Sequence, residues 1–330
     1  MAEKLDVVVV GGGPTGLACA IEAVRGELKV LVIDKGCLVN SIFNYPPDMI
    51  FFTSRDLLEI GEMPLPSVNV KPTRNEALEY YRRVAEFFHL PVHLYERVTA
   101  IEGSDGDYQV LTQTQRGRRN GYETRKVVFA TGYYDLPNLM GIPGEGLPKV
   151  SHYYTSAHPF YQRKVAVIGG ANSAAEAALD LYRHGAEVTL IHRDAQVGKR
   201  IKYWVRPDIE NRIKEGSIRA LFETEVKEIA EDWIRVETRD GQMLQLENDF
   251  VFAMTGYHPD FDFLGAAGVR IDPETCRPIC NQQTLESNVP GLYLAGCVIA
   301  GYQTDEIFIE NGRFHGKQII ADIKKKLQRL

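Results

Sequence analysis

The chain has 330 residues, 44% of them hydrophobic and 25% charged, the make-up of an ordinary globular protein of about two domains. A net charge of −6 with a pI near 5.8 and no basic stripe interleaved with aromatics argue against a nucleic-acid surface. The first strand pattern starts within six residues of Met1 and no apolar run is long enough to span a bilayer, so neither a signal peptide nor a membrane span is expected, and sparse cysteines without a Cys-x-x-Cys pair fit a reducing cytoplasm.

Leu5-Asp-Val-Val-Val-Val reads as a β-branched strand, and Gly11-Gly-Gly13-Pro14-Thr15-Gly16 turns from it into a helix. Such a loop lets the backbone approach a pyrophosphate, whose charge rests on the amides at the helix N-terminus. Cys19, on the buried side of that helix, reads as core. The next strand, Lys29–Ile33, ends in Asp34, 18 residues past Gly16, where a carboxylate accepts ribose hydroxyls. The first nucleotide is therefore FAD or NAD. Asn40 to Pro66 is rich in aromatics and prolines and fits neither period, so it reads as an irregular lobe over the nucleotide. Thr73 to His89 reads as a helix opened by the capping box Thr73-Arg-Asn-Glu76.

An antiparallel meander follows, with Asp105-Gly106 turning between Val98–Ile101 and Tyr108–Thr114. Arg116 to Arg119 reads as a hairpin tip. A strand from Val127 closes in Thr131-Gly132-Tyr133. Tyr133 and Tyr134 are read as core in preference to ring-stacking residues. After a Pro- and Gly-bearing crossing, Asn138 to Pro148, come His152 and His158, two candidate proton donors whose plainer reading is a surface loop.

Lys164-Val-Ala-Val-Ile-Gly169-Gly170-Ala171-Asn172-Ser173-Ala174 repeats the first fingerprint 158 residues on. Its second strand, Glu187–Ile191, ends in His192-Arg193, with Lys199 and Arg200 close behind. A carboxylate there repels a 2′-phosphate, whereas a guanidinium pairs with it in two-pronged fashion, so the second nucleotide is NADP(H). A second meander turns at Asp240-Gly241 between Ile234–Thr238 and Met243–Leu246, and a strand from Phe250 again ends in Thr255-Gly256-Tyr257. A second crossing is read over Tyr257 to Phe263. Cys276 and Cys280 lack the companions of a zinc site, and no metal is expected. Asn288 to Cys297 is an apolar strand ending at Gly296, and a helix runs to about Lys326, its basic end spanning Lys324 to Arg329.

That last strand has no partner in the second half and completes the first half's sheet. The expected fold is α/β, two Rossmann-like dinucleotide-binding domains of the three-layer ββα kind. One domain, residues 143–254, is inserted into the other, residues 1–142 and 255–330.

Both fingerprints, Ala130-Thr-Gly, the Gly291-to-Gly296 motif and the inserted unit resemble the low-molecular-weight thioredoxin reductase class of flavoproteins. Asn44-Tyr-Pro-Pro, Phe51-Phe-Thr-Ser, Leu58-Glu-Ile-Gly61, Lys71 to Tyr81 and Ile307 to Gly316 resemble its bacillithiol-disulfide reductase branch. The resemblance implies FAD on the first unit, NADPH on the second, a homodimer and a rotation between units during hydride transfer. Candidate cofactor-binding residues are Gly11, Gly13, Pro14, Thr15, Gly16, Asp34, Lys35, Asn44, Val98, Thr131, Gly132, Gly296 and Cys297 for FAD. For NADPH they are Gly169, Gly170, Ala171, Asn172, Ser173, Ala174, His192, Arg193, Lys199 and Arg200.

Three positions depart from these relatives. Where thioredoxin reductases carry a redox dithiol this chain reads Tyr153-Tyr-Thr-Ser156-Ala-His-Pro, so the usual shuttle to thioredoxin is chemically absent. The bacillithiol branch also lacks that dithiol, but it places a cysteine in the first fingerprint where this chain has Thr15. Cys297 stands where thioredoxin reductases have an aspartate. As a catalytic candidate it is a thiol at a helix start beside the flavin; the plainer reading is a small residue packed under the ring. Cys37 lies too far from the flavin ring to react, and His315 reads as structural.

The expected function is an NADPH-dependent FAD oxidoreductase passing electrons to bacillithiol disulfide or a bacilliredoxin. The alternatives are a ferredoxin- or flavodoxin-NADP reductase of the same fold, or a flavin redox sensor with little turnover.

Overall fold

The computed structural model describes residues 4–304 and 306–328. Strand β1 (Leu5–Val10) is buried from Val7 onward, as a parallel strand covered on both faces must be. Helix α1 (Pro14–Arg25) starts with proline at its first position and buries Leu17, Cys19 and Ile21. Strand β2 (Val30–Ile33) pairs parallel to β1, with Val10 opposite Ile33.

The lobe from Asn40 to Pro66 contains only two single-turn helices, α2 (Asn40–Phe43) and α3 (Arg55–Leu58). It is anchored by insertion of Ile42, Phe51, Leu58 and Ile60 into the core, and by hydrogen bonds from the hydroxyls of Tyr80 to Met63 O and Tyr81 to Leu58 O, both 2.8 Å. Those tyrosines lie on α4 (Arg74–Phe87), where the expected capping box is formed in both directions.

Strands β3 (Val92–His93), β4 (Glu96–Ser104) and β5 (Asp107–Thr114) lead into β6 (Arg119–Phe129). The Asp105-Gly106 turn and the Arg116 hairpin tip fall where expected. Strand β6 is longer than the sequence suggests and joins the parallel and antiparallel parts of one seven-stranded sheet. Its first half pairs antiparallel with β5, and from Thr124 onward it pairs parallel with β1.

Pro137 then opens a separate compact unit. It contains β7 (Val150–Ser151), β8 (Lys164–Ile168), α5 (Asn172–Arg183), β9 (Glu187–Ile191), α6 (Arg206–Lys214) and β10 (Arg219–Leu221). The meander β11 (Thr224–Ile229), β12 (Trp233–Thr238) and β13 (Met243–Glu247) precedes β14 (Phe250–Ala253). Met140, Ile142 and Leu147, in the stretch read as a crossing, pack onto a core that includes Ile229 and Ile234. The chain entering and leaving the unit is cross-tied: Asn138 Nδ2 donates to Thr255 O (3.1 Å), Thr255 Oγ1 to Asn138 O (2.6 Å) and Asn138 N to Gly256 O (2.9 Å).

The remaining residues return to the first unit through α7 (Phe261–Ala266), β15 (Leu292–Leu294), α8 (Ile309–Gly312) and α9 (His315–Leu327). Helix α7 cuts short the expected second crossing, because Asp260 caps Phe263 N at 3.0 Å. Arg329, the end of the basic run, lies outside the described residues. Strand β15 pairs with β6, Leu292 opposite Val127, so the C-terminal segment closes the first sheet as its sequence implied. The compact units comprise Met1–Leu136 with Tyr257–Leu330, and Pro137–Gly256.

The parallel orders are β3-β2-β1-β6-β15 and β10-β9-β8-β14-β7; β5 and β4 extend the first sheet from β6 to seven strands, whereas β11-β12-β13 form a separate three-stranded sheet in the second unit. The α/β plan of two Rossmann-like units is therefore present. Among the described residues no helix is long and apolar enough to cross a membrane.

Candidate dinucleotide and redox site

The two glycine loops are built alike, contact for contact. Gly11 N donates to Ile33 O (2.8 Å) and Gly169 N to Ile191 O (2.9 Å). Each of these glycines has a positive φ, 111° and 135°, and a Cβ on either runs into the carbonyl ending the neighbouring strand, that of Ala130 or Met254. Leu17 N bonds back to Gly13 O and Ala175 N to Ala171 O; Val39 N covers Gly12 O, and Gly198 N covers Gly170 O. Neither α1 nor α5 has a side-chain cap, so their first-turn amides are not taken up by one. Each loop opens between two strands where the chain order reverses, β1 and β6 or β8 and β14, the crevice in which such sheets hold nucleotides.

The first cradle brings most of its candidate residues together. Asp34 Oδ2 accepts Gly12 N at 2.7 Å and Oδ1 accepts Gly36 N at 2.8 Å. Burial raises the Asp34 pKa, and those two amides and Lys35 work against the rise. Lys35 pairs with Asp135 at 2.8 Å, beside the turn that carries Thr131 and Gly132. Thr15 lies against Gly296 and Gly312, where a Cβ would come within 3.0 and 2.9 Å of its hydroxyl. A side chain at Gly13, by contrast, meets nothing within 4 Å. Pro14 and Gly16 belong to α1, and Gly16 admits no Cβ because Gly11 O occupies that space. Val98 is buried on β4, two residues past Glu96, whose amide bonds to Asp34 O at 2.9 Å. Asn44 is exposed at the end of α2 and reaches the group only through its carbonyl, which accepts from Tyr134 Oη at 3.4 Å.

In the second cradle His192 occupies the place of Asp34. Its ring covers Gly170, where any Cβ would overlap it, and burial lowers its pKa, keeping it neutral at pH 7. Asn172 fixes the following loop, accepting Lys202 N at 2.9 Å and donating to Arg200 O at 3.3 Å. Ala174 is buried beside Gly169, while Ala171, Ser173, Arg193, Lys199 and Arg200 are exposed.

The thiols are poorly placed for attack. Cys297 Sγ lies 3.0 Å from Ile307 O, and burial pushes its pKa up to about 11, away from the thiolate at pH 7. Cys19 is fully buried and pushed to about 12, and burial also raises Cys37 and Cys280. Cys276 is half-buried in a turn.

Other residues differ from their sequence readings. His152 is not a surface-loop residue: its side chain is 12% exposed and lies 3.3 Å from Glu145 Oε1, whereas His158 is exposed. Tyr133 and Tyr134 are half-buried, not core. Tyr134 stands between Tyr45, at 5.0 Å edge to face, and Tyr257, at 4.7 Å. His315, by contrast, is structural, as its sequence reading had it. Its Nδ1 accepts Gly296 N at 2.9 Å, and burial lowers its pKa, so the neutral ring holds the Gly296–Cys297 turn in place.

Two matched dinucleotide cradles on one chain define a thioredoxin-reductase-like flavoprotein oxidoreductase. Residues 8–296 match the model of the pyridine nucleotide-disulphide oxidoreductases, and the chain belongs to that family. It is 44% identical over 319 residues to bacilliredoxin reductase Bdr of Bacillus subtilis (strain 168), covering 97% of each chain. The solved bacillithiol disulfide reductase Bdr (YpdA) from Bacillus cereus superposes with a TM-score of 0.96 at 44% identity, over 98% of this chain and 100% of that one. Its counterpart from Staphylococcus aureus gives 0.92 at 39%, over 98% and 99%.

Proposed function

We propose that the chain is an NADPH-dependent FAD oxidoreductase that passes electrons to bacillithiol disulfide, directly or through a bacilliredoxin. FAD is assigned to the unit of β1 and NADPH to the unit of β8. The observation that carries the reading is the duplicated cradle with opposite side chains at its ribose position, Asp34 in one and His192-Arg193 in the other.

The residues present fit both groups. The open space over Gly13 suits a pyrophosphate lying on the first turn of α1, and Asp34 is oriented by two amides toward ribose hydroxyls. Ala171 in the equivalent place of the second cradle keeps its nucleotide slightly further from the backbone. FAD and NADPH together supply hydride transfer and its relay as electrons to a disulfide. The chain's own residues bind and orient. Glycine loops and helix amides hold the pyrophosphates, Arg193, Lys199 and Arg200 attract the 2′-phosphate, and His315 fixes the Gly296–Cys297 turn.

Burial raises the thiols of Cys19, Cys37, Cys280 and Cys297, including the one nearest the flavin site, so this reading places the sulfur chemistry on the acceptor. A small dithiol partner bringing its own disulfide to the reduced flavin satisfies this. The same observation favours, as a second reading, a ferredoxin- or flavodoxin-type acceptor, which needs no thiol at all. A homodimer in the cytoplasm completes the proposal. Anaerobic mixing of NADPH-reduced protein with bacillithiol disulfide, an oxidised bacilliredoxin and an oxidised flavodoxin separates the readings. Fast flavin reoxidation by either disulfide supports the first. Reoxidation by flavodoxin alone supports the second, and slow reduction indifferent to acceptor removes both.

A further inference from the structure

The internal repeat aligns Asp34-Lys35-Gly36 with His192-Arg193-Asp194. In the first cradle the third position is glycine, and it serves the nucleotide side by donating Gly36 N to Asp34 Oδ1. In the second it is Asp194, whose Oδ2 lies 3.2 Å from His192 Nε2. The position is pinned by backbone: His192 O accepts Thr224 N at 3.1 Å, and Asp194 O accepts Glu223 N at 3.0 Å. His192 is held neutral by burial and does not cancel the carboxylate. The end of β9 therefore presents both signs of charge, Arg193 beside Asp194, at the place where a ribose 2′ substituent lies.

We propose that Asp194 limits the discrimination of the second site between nucleotides, so that the protein takes NADH as well as NADPH. The proposal rests on reading that cradle as the nicotinamide-nucleotide site. A carboxylate accepts a hydrogen bond from a free 2′-hydroxyl and repels the two negative charges of a 2′-phosphate, while the neighbouring guanidinium does the reverse. Asp194 is a specificity determinant set against Arg193, Lys199 and Arg200, and the balance among them fixes the preference.

The test measures equilibrium binding of NADP⁺ and NAD⁺ to flavin-loaded protein by calorimetry, for the natural chain and the variants Asp194→Asn, Asp194→Ala and Arg193→Ala. Removing the carboxylate is expected to tighten NADP⁺ by about tenfold, the scale of a partly screened interaction between a carboxylate and a phosphate dianion a ribose width away. NAD⁺ should be unchanged or weakened, and the NADPH-to-NADH ratio of kcat/KM should rise through KM while kcat holds. A ratio of dissociation constants unchanged in Asp194→Asn overturns the proposal. So does an Asp194→Ala variant that loses both nucleotides equally while Asp194→Asn is silent, because Asp194 then merely holds His192. Arg193→Ala, alone and combined with Lys199→Ala and Arg200→Ala, guards the underlying reading: if the triple variant too leaves NADP⁺ binding unchanged, the cradle is not a 2′-phosphate site and the proposal falls with it.

Discussion

Gly13→Val separates ligand binding from folding at the first cradle. Gly13 has φ −75° and ψ 175°, extended backbone that valine adopts readily, and a Cβ there meets no atom within 4 Å. The substitution's main cost to the flavin-free protein is the loss of glycine at the N-cap of α1, about 1 kcal/mol or less. A bound pyrophosphate would have to occupy the space that the valine fills. Losing two charge-assisted amide contacts, at about 1.5–3 kcal/mol each, weakens FAD by about 3–6 kcal/mol, or roughly 10²- to 10⁴-fold. Gly11→Ala is the contrast. At φ 111°, with its Cβ driven into Ala130 O, it should cost several kcal/mol of stability with or without flavin. The assay is the flavin-to-protein absorbance ratio after purification, then FAD titration of the stripped proteins and their denaturant midpoints. A Gly13→Val protein that retains stoichiometric flavin refutes the reasoning and removes Gly13 from the pyrophosphate site.

Three further outcomes follow from the same geometry. Cys297→Ser should leave NADPH-driven reduction of quinones unchanged and lower disulfide-coupled turnover by less than about tenfold, under about 1.4 kcal/mol of barrier; alkylation of Cys297 should still be rising above pH 9, since burial pushes the thiol up to about 11. Thr15→Cys should increase turnover on a small disulfide, because the smaller side chain fits against Gly296 and Gly312 at the start of α1, measured with flavin content as the control. Burial alone would raise the Glu96 pKa, but donors from Asn120, Thr112 and Tyr122 outweigh it and hold the carboxyl below its free value near 4.3. That stabilisation is complete above pH about 4.3 and is lost as pH falls through the lower folded value, so Glu96→Gln should flatten the acid limb of stability, read as denaturant midpoint against pH.

The cradles were legible because glycine spacing, β-branched strands and the charge at the second strand's end all report one local geometry. The capping box at Thr73 and both Asp-Gly turns are equally local. Strand β6 was read only in part because its two halves carry different signals. The first alternates as an antiparallel strand with one wet face, and the second is uniformly buried between β1 and β15. Strand β7, at two residues, is too short to show a period. The lobe after Asn40 has no repeating pattern because distant groups hold it: Arg313 donates to Asp56 O and Glu59 O, at 2.6 and 2.8 Å. His315 was rightly read as structural, but the bond it makes to Gly296 N, like the Glu145 partner that goes with the burial of His152, leaves no mark in spacing.

The central claim is that electrons reach a disulfide from the reduced flavin without help from any thiol of this chain. Its most direct test reduces the flavin anaerobically with NADPH in protein whose accessible thiols, and Cys297 by substitution with serine, have been removed. Oxidised bacilliredoxin is then added and flavin reoxidation is followed by its visible absorbance. Reoxidation within about tenfold of the unmodified rate is the predicted result. Loss of that reoxidation, with reduction by NADPH and flavin content intact, contradicts the account and makes a cysteine of this chain the sulfur that attacks.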